Sequence, residues 1–386
     1  MLEDTIAGAI GVTLIVVVLC DAFETIVLPR RVDRRLRLAR LFLRGTWLVW
    51  SKGTAFAHSP QGQEKWLGFF GPLAVILLLA VWGVGLIFGF GLLQWADGSH
   101  LSAPGRSVGF LTDLYESGTT FFTLGMGDVT PRGLTAQMLT VLESGIGFAF
   151  LALVIGYLPG LNQSFSRREV NVLLLSSRAG APPTAAEILR RHLDDHEIDG
   201  LRELFGDWER WSAEFLEGHL AYPMLAFFRS QHMNQSWLAA LTTVLDASAL
   251  TMLSMEGPCK HQAELTFRMA TRAAVDIAEL LDPPRQQFPK ERLTSDDLAC
   301  LRMMLAEAGV GVPPGLQMEE ELRKLRTMYE PNLENLAAFF RLTVPRWVTR
   351  SECEKARMQS RRERPSESAG SSVKIGQRIL SVHGQK

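Results

Sequence analysis

Cysteine is scarce in this chain. Its 386 residues include four cysteines, Cys20, Cys259, Cys300 and Cys353. They are too few and too scattered for a disulfide framework, so buried or free thiols are expected. Cys259 and His261 are close neighbours, but no CxxC or second ligand pair accompanies them, which argues against zinc. An excess of one charge is also lacking: 40 basic against 41 acidic side chains give no pull toward nucleic acid, and none is expected as a partner. No Gly-x-Gly-x-x-Gly follows a strand pattern, and no Gly-x-x-x-x-Gly-Lys-Ser/Thr loop occurs. The expectation is a protein that is not an enzyme and has no cofactor. His192 and His196 are four apart, a spacing that can ligate zinc, but they lack a third ligand and are read as exposed helix positions.

The other shortage is local. Charged side chains are only about half as dense over residues 1–165 as over residues 166–386. The first density is too low for a soluble domain and the second is ordinary. Three apolar segments account for it, each long enough for a bilayer that takes about 20 helical residues. They are about Thr5–Leu28, a run within Trp66–Ala96 that has no charged residue at all, and about Leu134–Leu158, whose one charge is Glu143. Glu3 and Asp4 precede the first run where a signal peptide would carry basic residues. No small-residue cleavage site follows it, so it is read as a retained membrane helix.

Nine basic residues (Arg30 to Lys65) against Asp33 and Glu64 lie between the first two spans. Only Arg106 and Arg132 lie between the second and third. The positive-inside rule then places the N-terminus outside and the C-terminus in the cytoplasm of a multi-pass cell-membrane protein. Within the basic stretch, Arg34–Trp50 mixes arginines with Leu, Phe and Trp. It reads either as an interfacial segment on anionic lipid or as a simple topology anchor. Asp21 and Glu24 are expected to pair with the arginines that follow them.

After Ser166 the pattern is that of a soluble, helical domain. Thr184–Glu187 and Thr294–Asp297 have the form of helix starts. Helices are expected over about Glu209–Ser230, Trp237–Met255, Gln262–Leu281 and Met318–Arg341. From Ser351 the chain is mostly Arg, Ser and Glu and is expected to be disordered.

The connection between the second and third spans carries the chemistry. It contains a short helical stretch and then Thr123-Leu124-Gly125-Met126-Gly127-Asp128, followed by Val-Thr-Pro. A dehydrated alkali cation needs backbone carbonyls in place of its water shell. Turning successive carbonyls to one side requires dihedrals that glycine tolerates best. Thr123 supplies a hydroxyl, and the C-terminal end of the preceding helix offers its partial negative charge to the cation.

This stretch resembles the potassium-channel signature Thr-Val-Gly-Tyr-Gly-Asp, often followed two residues later by proline. The resemblance covers about Trp66–Leu158, as in the two-transmembrane pore module of bacterial potassium channels. It implies an outer helix, a re-entrant pore helix and filter, and an inner helix. With the extra first span and the helical domain read above, the expected fold is an all-α membrane protein with three transmembrane helices, a re-entrant pore helix and filter, and a helical cytoplasmic domain. The expected divisions are an N-terminal helix (1–29), a basic segment (30–65), a pore domain (66–165), the helical domain (166–350) and a tail (351–386). It further implies a homotetramer in the lipid bilayer that conducts monovalent cations, chiefly K+, with Thr123, Leu124, Gly125 and Met126 as the permeating-ion sites and no other metal. Met126 replaces the family's packing aromatic, so a weakly selective cation channel is an alternative, as is a non-conducting membrane-anchored sensor or scaffold. Gly147, midway along the third span, is a candidate gating hinge or a close-packing position. Glu143, buried in a span, is expected to bond behind the pore helix or filter and support it. The first span lacks the arginine repeat of a voltage sensor.

Overall fold

The computed structural model describes residues 2–28, 38–56, 59–105, 107–194, 198–230, 235–286, 291–307 and 315–363. It is an all-α membrane protein whose only sheet among these residues is one two-residue pairing. The first span is α1 (Leu2–Ala22), continued by a π-helical turn over Phe23–Val27. After α2 (Leu38–Lys52) and α3 (Pro60–Gly68) comes the second span, α4 (Phe70–Ala96). The extra first span lies along α4, and glycines allow the contact. A Cβ on Gly89 would lie 2.6 Å from Ile15 Cγ1, and one on Gly85 would lie 3.0 Å from Val18. The Gly-x-x-x-Gly of the second span therefore docks the extra helix.

Strand β1 (Leu101–Ser102), the pore-helix candidate α5 (Phe110–Phe121) and strand β2 (Thr130–Pro131) lie between the second and third spans. Leu101 pairs with Pro131 and Ser102 with Thr130. The third span is α6 (Leu134–Ala179), far longer than its apolar part. Its 46 residues extend about 69 Å at 1.5 Å each. The helix runs through Asn162–Arg168, with no linker there, straight into the C-terminal domain.

That domain comprises α7 (Ala185–Asp194), α8 (Ile198–Ala221), α9 (Trp237–Ser254), α10 (Pro258–Leu281), α11 (Ser295–Glu307), α12 (Leu316–Thr327), α13 (Glu330–Phe340) and α14 (Arg350–Glu363). Helix α9 is also long and apolar enough to cross a bilayer, but 83% of its residues are buried inside the protein. It is the domain's central helix, with other helices packed around it. Asp246 on α9 shows why it is not a lipid-facing span: it is 1% exposed and accepts from Arg292 at 2.5 Å and Tyr329 at 2.6 Å. A buried carboxylate needs such partners.

Four expectations are corrected. The helix expected over Glu209–Ser230 ends at Ala221, because Pro223 lacks an N–H and starts a short 3-10 helix, Pro223–Phe227. The stretch Met318–Arg341 is two helices, broken at Met328–Tyr329 ahead of Pro331. Disorder does not begin at Ser351: Thr349 and Glu352 form a reciprocal cap (Glu352 N to Thr349 Oγ1, 3.2 Å) that starts α14, and the tail from 364 lies outside the described residues. That helix brings Cys353 to Cys300 on α11, and the two form a disulfide with Cα atoms 5.6 Å apart. Cys20 and Cys259 are free.

Candidate functional site

Helix α5 ends where the Thr123–Asp128 segment begins, and the end is built from a definite cap. Thr123 N donates to Thr120 O (2.9 Å) and Leu124 N to Thr119 O (2.8 Å), with Thr123 left-handed at φ +55°. These are the two bonds of a Schellman motif, here with threonine where glycine is usual. The left-handed residues then recur at every second position: Gly125 has φ +52° and Gly127 φ +76°, whereas Leu124 and Met126 have negative φ. In an ordinary strand successive carbonyls point to opposite sides. Inverting the backbone at alternate residues turns them toward one side, the arrangement that replacing a cation's water shell requires. A Cβ at Gly125 or Gly127 would meet no other atom within 4 Å, so these glycines are needed for their dihedrals, not for space.

The segment is held from behind by α5 and α6. Tyr115 Oη donates to Asp128 Oδ2 at 3.2 Å and lies 3.4 Å from Met126 Sδ, tying both ends of the Met-Gly-Asp turn to the pore-helix candidate. Ser117 Oγ contacts Glu143 Oε1 and lies 2.8 Å from Ile87 O, so one hydroxyl joins α5 to both α4 and α6. Glu143 is 1% exposed. The structure thus sets this carboxylate against α5. At the outer end Ser99 Oγ donates to the buried Asp113 at 2.6 Å, and Arg132 N donates to His100 O at 2.7 Å. These bonds, with the β1–β2 pairing, fix both entrances to the loop.

Gly147 lies where α6 crosses the end of α5. A Cβ there would overlap the Phe121 carbonyl oxygen and stand 2.9 Å from its carbon and 3.1 Å from Phe121 Cα. This is close packing against backbone two residues before Thr123, which accounts for a glycine without a hinge. Nothing in the sequence marks Tyr115 or Ser117: one aromatic and one hydroxyl on a short helix carry no pattern of their own.

Asp21 also has partners that the sequence did not suggest. Its carboxylate accepts from Trp82 Nε1 at 2.9 Å and from Ala39 N at 3.1 Å, at the start of α2. It joins the first and second spans to α2, and the residues Arg30–Arg37 lie outside the described set. Helix α2 is not a free interfacial segment. Its Trp47 is 1% exposed, donates to Phe339 O at 2.9 Å and packs edge-on to Phe70 and Phe227. His192 Nδ1 lies 2.8 Å from Ile188 O, within its own helix, and His196 is outside the described residues.

The turn after α8, Tyr222–Arg229, touches α3, α4 and α6. Tyr222 packs on Gly160 and Tyr157 of α6, and the carbonyls of Leu225 and Phe228 accept from the buried Arg168 of α6 at 2.9 and 2.7 Å. Phe228 lies against Gly71 of α4, and Arg229 binds Glu64 of α3 at 2.5 Å. One short turn therefore joins the second span, the third span and the segment between the first two.

Residues 75–161 match the family model described as ion channel. Over those residues the chain is similar to an ion-channel domain. That match spans most of α4, the capped loop and the apolar part of α6, the elements that hold Thr123–Asp128. An uncharacterized membrane protein of Bacillus subtilis (strain 168), YdjJ, is 26% identical over 241 residues, which cover 59% of this chain and 68% of that protein. No solved structure matches. With its apolar helices, this chain is a multi-pass membrane protein.

Proposed function

We propose that the chain assembles as a homotetramer that conducts K+ passively through a filter made by Thr123–Asp128. The observation that carries this reading is the alternation of left-handed residues at Thr123, Gly125 and Gly127, directly behind a helix C-terminus. The helix end turns its partial negative charge to the same point. A single chain supplies one such strand and leaves Leu124 and Met126 more than 60% exposed. Only 11% of the apolar window of α6 is buried within one chain, and Leu134, Met138, Val141 and Phe148 are open. Neighbouring copies around a four-fold axis would cover that face and complete the ring of carbonyls.

The termini follow the loop charges, with the N-terminus outside and the C-terminal domain in the cytoplasm. This domain controls the pore through the Tyr222–Arg229 turn, which grips α6 beyond the membrane and α4 at the same time. In α6 the weakened rung is at Pro159, which offers no N–H to Ile155 O. We place bending there and not at Gly147, which is locked on α5. Met126, whose sulfur sits by the Tyr115 hydroxyl, supports a second reading in which the pore passes Na+ and K+ with little distinction.

Purified protein in liposomes separates these readings. Potassium-selective flux with a tetrameric mass in detergent is expected. Equal Na+ and K+ flux favours the second reading. Inserted protein with no cation flux refutes both and leaves a membrane-anchored sensor.

A further inference from the structure

A crevice opens where the end of the first span, α2 and the C-terminal domain meet. Its walls are apolar and include Leu28 after the π-turn, Leu43 on α2, Met224 and Phe227 in the 222–229 turn, and Leu281 at the end of α10. Its rim is cationic. Arg40 and Arg44 are one turn apart on α2 and both border it. Arg40 spends one N–H on the Leu280 carbonyl, which fixes its guanidinium at the rim with further donors to offer. Arg44 reaches Asp282 at 3.5 Å, but that carboxylate is 74% exposed, so the pair is weak and exchangeable.

We propose that this crevice binds an anionic phospholipid, with the phosphodiester on Arg40 and Arg44 and an acyl chain along the apolar walls. Three features point to a lipid of this kind. The rim sits where the first apolar span ends, the depth at which a headgroup phosphate lies. The walls would gain nothing from inorganic phosphate, and a zwitterionic lipid would bring a cation of its own to the two guanidiniums. Glu24 also borders the crevice, which favours a singly charged phosphodiester carrying hydroxyls, as in phosphatidylglycerol, over a more highly charged phosphomonoester. A lipid bound here touches the first span, α2 and the 222–229 turn together, so it would brace the joint through which the C-terminal domain meets the membrane helices. The inference rests on the membrane reading and is independent of whether the pore conducts.

The test uses full-length protein in a neutral detergent, with native mass spectrometry and thermal melting read at increasing dioleoylphosphatidylglycerol, dioleoylphosphatidylcholine or inorganic phosphate. Phosphatidylglycerol should be retained at least tenfold more tightly than phosphatidylcholine and should raise the melting temperature, while phosphate does neither. Arg40→Gln with Arg44→Gln should erase that preference. Leu43→Trp, which narrows the crevice and leaves both arginines in place, should weaken phosphatidylglycerol binding about as much. Equal retention of the two lipids overturns the proposal, and this result needs no variant to fold. Full competition by inorganic phosphate, or unchanged binding in Leu43→Trp, overturns it as well, because either would reduce the site to a surface charge. Liposome flux is a separate readout, so failure of the lipid site and failure of the pore reading remain distinguishable.

Discussion

Replacing Gly147 with alanine tests how the loop is held. Alanine raises helix propensity by about 1 kcal/mol over glycine, so at an uncrowded position it should stabilise α6. At Gly147 the added methyl meets the Phe121 carbonyl group, with the carbon 2.9 Å away and Cα 3.1 Å away. These are backbone atoms at the end of α5 and cannot rotate aside as a side chain would. Relief requires α5 and α6 to part by something near 1 Å, and overpacking of this kind costs about 1–3 kcal/mol. Ser117, which joins α5 to Glu143 and Ile87, resists that movement. The strain should therefore reach the Schellman turn at Thr123, two residues on.

The expected result is a protein that inserts but loses K+ flux or its preference for K+ over Na+, read from reversal potentials in planar bilayers. The controls are Gly145→Ala and Gly156→Ala in the same helix, where a Cβ meets nothing within 4 Å of its own chain. A hinge role makes a different prediction: Gly147→Ala would change how often the pore opens and leave ion preference intact. If Gly147→Ala behaves like the two controls in both respects, the packing argument is wrong.

Gly125→Ala should abolish K+ flux without preventing insertion, since a left-handed alanine costs on the order of 1–3 kcal/mol per subunit and the proposed tetramer would place four copies in one filter; normal conduction would remove the filter assignment. Tyr115→Phe deletes the hydroxyl on Asp128 and Met126, worth about 1.5–3 kcal/mol for a bond to a charged group. Flux should then decay faster at constant voltage, and an unchanged time course would refute that support. For acid stability, burial and then the charge of Arg168 push the His219 imidazole down to about 3. The unfolded chain takes up that proton near 6.5, so stability is full above 6.5 and falls as the pH drops from there toward 3, by about 2 kcal/mol at pH 5. His219→Gln should flatten the melting temperature between pH 7 and 5, and an identical slope would exclude this residue. Cys353→Ser should speed amide exchange in α14 as much as reductant does in the parent chain, and no difference between oxidised and reduced protein would argue against the bond to Cys300.

The spans were legible because their physics is one-dimensional. The uncharged run of Trp66–Ala96 has few places to go except a bilayer. The caps at Thr184 and Thr294 were legible for the same reason, since donor and acceptor lie three residues apart; Glu187 N meets Thr184 Oγ1 at 3.2 Å as the pattern requires. The loop could be read as far as its glycines. The left-handed threonine at 123 could not, because the cap formed with Thr119 and Thr120 overrides a preference that disfavours it. What failed altogether was contact at long range. Nothing near Asp21 announces Trp82, 61 residues away, and nothing near Trp47 announces Phe339. The arginine-rich stretch around α2 suggested a lipid interface or a topology anchor and not a protein contact, since a sequence reading of amphipathicity cannot tell a membrane surface from a protein surface.

That last confusion bears on how the two halves of the molecule are joined. A domain attached only through the end of α6 could move freely about it and transmit little force. Here α6 is continuous to Ala179, and the 222–229 turn holds both α6, through Arg168 and Tyr222, and α4, through Phe228 at Gly71. Trp47 inserts a third element into the same joint, packing on Phe70 of α4 and on Phe227 of the turn. Displacing the domain must therefore move α4 and α6 relative to each other or break a buried aromatic cluster, and Arg168, ion-paired with Glu169 at 3.0 Å, would give up two buried hydrogen bonds on leaving the Leu225 and Phe228 carbonyls. If the domain gates the pore as proposed, a joint built this way would act as a lever with its pivot at the turn. Tyr222 sits on Tyr157 and Gly160, on either side of Pro159, the rung of α6 that lacks its backbone hydrogen bond.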